Sequence, residues 1–271
     1  MNLPESTSRC PGRGLTTVEG AVVEFQGTYM EEEKYKDWIQ SALKEEKETP
    51  FVLLPETLNY GDYLQMEKKC TRQKQFSIGC KELDGSVFWL PLQGMEHFII
   101  VGKGKVDYEI PLCMFLMQLR KNNQSCLLFG KNQSKTVKFA EKQGILVIEE
   151  KDWEQEDKHI EDFTWVFVED FSNWVIENGN WMLQTMQNKK EITWVVVCQA
   201  EEFRMLRKYP VFRYMLERQQ GIYIGSGIRE QSFFDTGIFQ RTWENYMEQQ
   251  EIGVLFWDKK MQLVHFPNVE N

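Results

Sequence analysis

The stretch that decides the fold is HFIIVGKGKVDYEIPLCMFL, residues 97–116. It opens with a continuous apolar run, which is typical of a β-strand that is covered on both faces of a sheet. A turn with Gly102 and Gly104 follows, and the apolar segment 110–119 predicts a helix. A strand, a glycine turn and a helix in this order can cradle an anion, so the segment has the architecture of a phosphate-binding loop.

The chain beyond this stretch repeats the alternation of strand and helix. Short apolar runs predict further strands at 125–130, 144–150, 164–170, 192–199 and 221–227. Helical periodicity between them predicts helices at 136–143 and 173–188. Buried strands that alternate with helices predict an α/β fold with a mostly parallel central sheet flanked by helices. Ligands of such sheets bind at the carboxyl ends of the strands.

Two antiparallel hairpins are predicted at the two ends of this α/β region. FSIGCKE and SVFWLPL flank the turn signal Asp84-Gly85. Near the C-terminus, VLFW and QLVHF flank a turn at Asp258-Lys259-Lys260. The sequence therefore predicts that the sheet carries antiparallel strands, including a C-terminal hairpin.

Three further segments complete the secondary-structure prediction. A short strand is predicted at 21–25, and an amphipathic helix at 29–48. The segment 203–214 mixes apolar side chains with basic ones, and Pro210 interrupts it. It is either an ordinary packed helix with a basic outer face or a surface for an acidic partner.

The composition excludes several classes of protein. The chain has 271 residues, of which 42% are hydrophobic, and its formal net charge is −9. A chain of this size buries roughly 75% of its unfolded surface, which excludes disorder as its main state. The acidic charge argues against a surface that binds nucleic acid. The six cysteines form no C-x-x-C pair and the three histidines are scattered, so reduced thiols and no metal site are expected.

The glycine turn departs from the phosphate-binding pattern G-x-x-x-x-G-K-[ST]. Only its first glycine, Gly102, is in register. Asp107 stands at the second glycine, Tyr108 at the lysine and Glu109 at the hydroxyl residue that would hold Mg²⁺. Two carboxylates would repel phosphate, and a tyrosine supplies no positive charge. Ordinary hydrolysis of Mg-ATP is therefore not expected at this loop.

Two lysines of the same loop are compatible with weak anion binding. Lys103 and Lys105 lie on either side of Gly104 and could reach back towards a phosphate. The candidate nucleotide-binding residues of this degenerate loop are Gly102, Lys103, Gly104, Lys105, Asp107, Tyr108 and Glu109.

Polar residues follow two later strands of the same series. TWVFVED ends in Glu169 and Asp170, where a Walker B-like acid would hold the water shell of Mg²⁺. ITWVVVCQ ends in Gln199, the place of a sensor-like polar residue. An acidic residue after an apolar strand is also common as a plain strand end, so the order of these residues behind a glycine turn is what makes them candidates.

Several segments resemble one family of ATPases. PGRGLTTVEGAVVEFQ (11–26) resembles the end of an FtsK/SpoIIIE-type module, and FVLLPETL (51–58) the start of the next one. FSIGCKELDGSVFWLPL resembles the hairpin before the phosphate loop, and GIYIGSGIREQSFFDTGI (221–238) the late strand and its loop. Together they resemble the C-terminal module of the EssC/EccC-type membrane ATPases of type VII secretion.

The resemblance implies a fold and a domain division. The fold would be that of a RecA-like P-loop NTPase. Residues 1–50 would be the tail of a preceding ATPase module plus a linker helix, and residues 51–271 a degenerate RecA-like domain. The chain would then be part of a larger membrane-anchored protein and lie on the cytoplasmic face of the cell membrane.

The resemblance also implies a function. Such a module acts in substrate recognition and in the regulation of protein export, here with little or no ATP hydrolysis and no cofactor. Its partners would be a secreted helical protein with a C-terminal signal, the other ATPase modules of the same chain and, in the full protein, further copies of itself, but no nucleic acid. The alternative is a module that binds and hydrolyses Mg-ATP through a non-standard loop. DNA translocation, a third hypothesis, is disfavoured by the acidic charge.

Overall fold

The structure is a computed structural model of the chain, which divides into two compact units, Met1–Pro50 and Phe51–Asn271. In the first unit the backbone is described for residues 13–18 and 21–26. In the second unit the structure describes residues 54, 57–68, 74–82, 85–104, 108–149, 152, 160–237, 243 and 251–269. Each unit is considered by itself.

The first unit contains an antiparallel strand pair. Strand β1 is Arg13–Val18 and strand β2 is Ala21–Gln26, with Thr17 opposite Val22. The strand predicted at 21–25 is thereby confirmed. The helix predicted at 29–48 lies outside the described residues.

The second unit is built on one sheet of ten strands. They are β3 (Gln75–Lys81), β4 (Val87–Pro91), β5 (His97–Gly102), β6 (Cys126–Gly130), β7 (Leu146–Glu149), β8 (Trp165–Val168), β9 (Thr193–Gln199), β10 (Gly221–Ile224), β11 (Ile252–Trp257) and β12 (Lys260–His265). Their order across the sheet is β4-β3-β12-β11-β10-β5-β9-β8-β6-β7. Neighbours from β10 to β7 run parallel, and those from β4 to β10 antiparallel.

Helices cover both faces of this sheet. They are α1 (Tyr60–Lys68), α2 (Glu109–Lys121), α3 (Lys135–Lys142), α4 (Phe171–Asn188), α5 (Phe203–Leu206) and α6 (Pro210–Leu216), with 3₁₀ turns at Ile160–Asp162 and Ala200–Glu202. The predicted α/β fold, its mostly parallel sheet and its C-terminal hairpin β11–β12 are confirmed.

Alternate residues of each central strand enter two different cores. In β5, Ile99 and Val101 belong to the core that α4 and α6 cover. Phe98 and Ile100 belong to the core that α2 and α3 cover. Because successive side chains of a strand point to opposite faces, a strand buried in this way must be apolar throughout. This is the physical reason for the run HFIIVG.

The segment 203–214 is an ordinary part of the fold. Pro210 begins α6, so the segment forms two short helices rather than one. The Phe203 ring packs edge-on against the rings of Phe212 and Phe233 inside the core. Arg204 and Arg213 are exposed on the outer side. The packed segment with a basic outer face is confirmed, and the binding of an acidic partner to that face stays a prediction.

The thiols of Cys80, Cys113, Cys126 and Cys198 are buried and form no disulfide. Burial raises the pKa of Cys126 to about 12 and that of Cys198 well above its usual value. In the ranges given above, no three His, Cys, Asp or Glu side chains are grouped so that they could hold a metal ion. Within the same ranges, every helix is too short or too polar to cross a membrane.

Candidate nucleotide-binding site

The order of the strands brings the predicted site residues to one edge of the sheet. Strand β9 lies between β5 and β8, and all three run parallel. Gly102 at the end of β5 is paired in register with Gln199 at the end of β9. Glu169 and Asp170 follow directly after β8. The carboxyl ends of the strands therefore place these four residues together.

A small cavity lies at this edge. It is lined by Tyr108, Lys131, Glu169, Asp170, Val197, Cys198, Gln199 and Glu202 and has a volume of ≈ 60 Å³. Pockets that hold drug-sized ligands begin at about 300 Å³, whereas one water needs about 10–15 Å³. The space between these residues can hold a few water molecules.

The residues of the glycine turn are only partly described. Gly104 has a φ of +75°, which favours glycine, and no atom lies within 4 Å of the place its Cβ would take. Lys105 and Asp107 lie outside the described residues. Tyr108 precedes α2, and its ring carbon Cδ1 would lie 3.4 Å from a Cβ on Gly102. The tyrosine ring thus covers the glycine that a phosphate would have to approach.

The lysines around the turn face carboxylates of the same chain. Distances between ammonium nitrogen and carboxylate oxygen are 3.7 Å for Lys103–Glu230, 3.6 Å for Lys131–Asp170 and 3.5 Å for Lys135–Glu109. One side chain of each pair is mostly exposed, and ion pairs at a surface contribute only about 0–1 kcal/mol each to stability. Their consequence is electrostatic, because a lysine beside a carboxylate presents little net positive charge to a phosphate.

Negative charge exceeds positive charge at this edge. In the part of the chain that the structure describes, the three lysines of these pairs are accompanied by five carboxylates, those of Glu109, Glu169, Asp170, Glu202 and Glu230. A polyphosphate would therefore be repelled unless further cations accompanied it.

Glu169 is used by the fold as a hydrogen-bond acceptor. Its side chain is buried, with 2% exposed, and its Oε2 accepts from Lys131 N at 2.7 Å and from Ser134 Oγ at 2.9 Å. Ser134 in turn caps α3 by accepting from Val137 N. Burial raises the pKa of Glu169, and these hydrogen bonds oppose that rise. The carboxylate thus ties the end of β8 to the start of α3.

Asp170 caps the next helix. Its Oδ1 accepts from Asn173 N at 3.4 Å and from Ser172 Oγ at 3.0 Å, and its Oδ2 accepts from Asn173 Nδ2 at 3.0 Å. An acidic residue at this position satisfies backbone donors and interacts favourably with the positive end of the helix.

Gln199 also has a local partner. Its backbone N–H donates to Glu202 Oε2 at 2.8 Å, and the side chains of both residues form a capping box for the 3₁₀ turn Ala200–Glu202. Ser172 Oγ lies 2.8 Å from Glu202 Oε1 and 3.0 Å from Asp170 Oδ1, so its single hydroxyl hydrogen is shared between the two carboxylates and joins this box to the start of α4. The sensor-like residue is therefore part of a network of helix caps.

The roles of Lys131, Ser134, Ser172 and Glu202 as partners of these residues were not predicted. A signal existed for two of them. Lys131 directly follows the apolar strand run that ends at Gly130, and the spacing of Gln199 and Glu202 is that of a capping box. Ser134 and Ser172 gave no signal, since their role depends on which strands are neighbours.

The fold and the meeting of these strand ends at one edge of the sheet are those of P-loop ATPase domains. No protein-family model matches the chain, and no curated protein matches it. Solved structures do. The cytoplasmic domain of EssC has a TM-score of 0.64 at 15% identity, over 99% of this chain and 60% of that one.

Two other solved structures contain tandem modules of this kind. EssC ATPases 2 and 3 from Geobacillus thermodenitrificans match with a TM-score of 0.64 at 16% identity, over 98% of this chain and 57% of that one. EccC ATPases 2 and 3 from Thermomonospora curvata, in complex with a signal sequence peptide, match with a TM-score of 0.58 at 14% identity. This match covers 100% of this chain and 55% of that one. The predicted likeness to EssC/EccC ATPase domains is confirmed. At 14% to 16% identity, this structural likeness establishes the fold alone. The chain spans 55% to 60% of the length of these three structures.

Proposed function

We propose that this chain is part of a type VII secretion ATPase, as a module with little or no ATP hydrolysis of its own that recognises secreted substrates and regulates their export. The observation that carries the proposal is the pairing at the strand ends. Lys103, Lys131 and Lys135 each face a carboxylate. Asp170 and Gln199 cap helical turns, and Glu169 accepts hydrogen bonds from Lys131 N and Ser134 Oγ.

The residues present do not fit Mg-ATP well. A phosphate loop needs a lysine for the phosphates and a hydroxyl for the metal, and here Tyr108 and Glu109 stand at those positions. The Glu109 carboxylate lies 3.5 Å from Lys135 at the start of α3. We derive no hydrolytic step from such a donor set.

Calorimetry with Mg-ATP tests the loss of nucleotide binding. We expect no binding heat with nucleotide at about 1 mM, a concentration that corresponds to a binding free energy of about −4 kcal/mol. The matched variant restores the pattern by Asp107→Gly, Tyr108→Lys and Glu109→Ser together. It should gain affinity for nucleotide if the turn keeps the shape of a phosphate loop. Micromolar binding and phosphate release by the natural chain would contradict the proposal.

The second candidate is a nucleotide-binding module with a non-standard loop. The observation that favours it is the turn itself, since Gly104 keeps a left-handed conformation with open space around it and Lys103 lies next to it. The same calorimetric experiment decides between the two. Replacing Lys103 by Met should abolish binding if this candidate is right, and should change nothing if the first proposal is right.

The proposed partners follow from the relatives. One EccC structure holds a signal sequence peptide, and the EssC and EccC structures contain two ATPase modules in one chain. By analogy, we propose that this module binds a secreted helical protein through its C-terminal signal, contacts other modules of the full membrane-anchored protein on the cytoplasmic face, and takes part in its homo-oligomer. Titration with a peptide from the end of such a substrate tests this, with a scrambled peptide and duplex DNA as controls.

A further inference from the structure

A basic surface lies on the outer side of the segment that joins β9 to β10. Arg204, Arg207 and Lys208 are spaced at i, i+3 and i+4, and Arg207 N donates to Phe203 O at 2.9 Å, so the helical turn of α5 continues to this point. Side chains at this spacing lie on one side of a helix, with about 5–6 Å between their Cβ atoms. Arg213 adds a cation on α6, and all four cationic residues are exposed. These four residues form the basic face of the segment.

The basic face has no carboxylate of its own. Residues 203–216 contain these four cations and no aspartate or glutamate, although the whole chain has a net charge of −9. None of the four forms an ion pair with any residue that the structure describes. By contrast, the three lysines at the strand ends of the candidate site each face a carboxylate. Arg204 and Lys208 repel each other at their spacing, and a carboxylate placed between them would relieve that repulsion.

An exposed apolar side chain lies beside this segment. Gly179 of α4 packs against the segment, since a Cβ on Gly179 would lie 3.6 Å from Val211 Cγ1 and 3.8 Å from Tyr209 Cδ1. Ile176 stands one turn earlier on α4, at the i, i+3 spacing that makes two residues neighbours, and it is 60% exposed. Glu177 is the one charged residue of α4. The surface next to the basic face is therefore almost uncharged and presents an apolar group.

We propose that the basic face and Ile176 together bind an acidic amphipathic helix of a partner protein. Carboxylates one turn apart on such a helix have the same spacing as the cations, and the apolar side of the helix would pack on Ile176. A nucleic acid fits this surface less well, because it brings a continuous row of phosphates that the net charge of −9 repels. The proposal rests on the charge and exposure of this surface and does not depend on the secretion function proposed above.

Calorimetric titration of the full chain with a synthetic peptide tests the proposal. The peptide has about 18 residues, enough to form a helix in water, with leucine at every third or fourth position and glutamate at most others. We expect a dissociation constant of about 100 μM or lower at about 50 mM salt, and about tenfold weaker binding at about 500 mM salt, because salt screens exposed charges. A peptide with lysine in place of glutamate should not bind. A peptide of the same composition in shuffled order keeps the charge without the apolar side, and should bind about threefold more weakly.

Two double variants separate this surface from the rest of the molecule. Arg207→Glu combined with Lys208→Glu should weaken binding about tenfold or more. Lys138→Glu combined with Lys142→Glu makes the same change of charge on α3, where both lysines are exposed, and should leave the affinity nearly unchanged. All four residues are exposed, so the melting temperatures should stay close to that of the natural chain. Arg204→Gln, a milder change, should weaken binding about threefold and covers the case in which a charge reversal affects folding.

The apolar contact has its own variant. Ile176→Ser should weaken binding of the amphipathic peptide about threefold and leave binding of the shuffled peptide unchanged. The proposal would be overturned by the absence of binding heat at about 1 mM peptide, by equal losses of affinity in the two double variants, or by tighter binding of duplex DNA or phosphatidylglycerol vesicles than of the peptide. These titrations contain no nucleotide, so their failure would leave the test with Mg-ATP unaffected.

Discussion

At the scale of single residues, the candidate site shows how the partners of a carboxylate decide its role. Glu169 stands where a Walker B-like acid is predicted, directly after an apolar strand. Its oxygen accepts from a backbone N–H and a serine hydroxyl at the start of α3, and its side chain is buried. The same residue type that could hold the water shell of a metal ion here joins two elements of the fold.

Replacing Glu169 by alanine tests this structural role. The change leaves Lys131 N and Ser134 Oγ without their acceptor, so we expect a loss of about 2 kcal/mol in the free energy of unfolding. Glu169→Gln keeps an acceptor at the same place and should cost less. Urea denaturation measures both. Glu141→Ala, an exposed position on α3, is the control, and a loss no larger than that of the control would contradict the role.

His97 makes the stability depend on pH. It is buried, and its Nε2–H donates to Met215 O at 2.7 Å. Burial lowers the pKa of His97 from 6.5 to about 4. Because the folded pKa lies below the unfolded one, the neutral ring stabilises the fold above pH 6.5, and this contribution is lost as the pH falls through 4.

Between pH 7.5 and pH 4, protonation of His97 should lower the free energy of unfolding by about 3 kcal/mol. Carboxylates titrate in the same range, so the measurement is a difference between two proteins. His97→Gln can still donate to Met215 O but does not titrate. Its stability should therefore fall less than that of the natural chain, and parallel pH profiles in urea denaturation would count against the assignment.

At the scale of elements, the C-terminal hairpin is defined by its turn. Asp258 and Lys259 have φ values of 49° and 58°, and the flanking residues Trp257 and Lys260 pair with each other. A two-residue turn with both φ angles positive matches the twist of a hairpin, and Asn-Gly is its preferred sequence. Asp258 and Lys259 have side chains, so the left-handed conformation of this turn costs conformational free energy.

Replacing Lys259 by glycine should relieve part of that cost. We expect a gain of about 1 kcal/mol in the free energy of unfolding, seen as a higher melting temperature. The matched control is Lys260→Gly, one residue later, which weakens strand β12 and should lower stability by roughly 0.5–1 kcal/mol. A destabilised Lys259→Gly variant would show that the lysine side chain has a role that the turn geometry does not reveal.

The strands were predictable where their side chains are buried on both faces. HFIIVG, CLLFG and TWVVVCQ are apolar between their first and last residues because each strand lies between two helical layers. Helix ends were harder to predict. The helix α4 begins at Phe171 rather than near residue 173, because Asp170 serves as its cap. A cap and a catalytic acid look alike in sequence, and only the contacts separate them.

At the scale of the whole molecule, the order of the strands positions the site, and it does not follow the order of the chain. β9 lies between β5 and β8, although β6, β7 and β8 precede it in sequence. The sequence could place Gly102, Glu169 and Gln199 at strand ends, but it carried no sign of which strands are neighbours. For this reason the capping network among Lys131, Ser172 and Glu202 could not be predicted.

Gly221 lies at the seam between the two halves of the sheet. Its strand β10 pairs in parallel with β5 and antiparallel with β11. A Cβ at this position would lie 2.2 Å from Ile99 O and 2.4 Å from the Phe234 ring. Strands β5 and β10 can therefore pair at this position only if the residue is glycine.

The substitution Gly221→Ala should destabilise the whole domain. Relieving a clash with backbone requires the two halves of the sheet to separate, and we expect a loss of about 3 kcal/mol. Gly61→Ala in α1 is the control, because it raises helix propensity and meets only the side-chain oxygen of Asn59, 3.3 Å away. Thermal unfolding of both variants measures the difference. Equal melting temperatures would mean that the seam can relax.

The ion pairs and caps at the strand ends have a consequence for the proposed secretion module. Its side chains there are held by one another and need no bound nucleotide to stay in place. On the proposed function, such a module would offer its partners the same surface whether ATP is abundant or scarce.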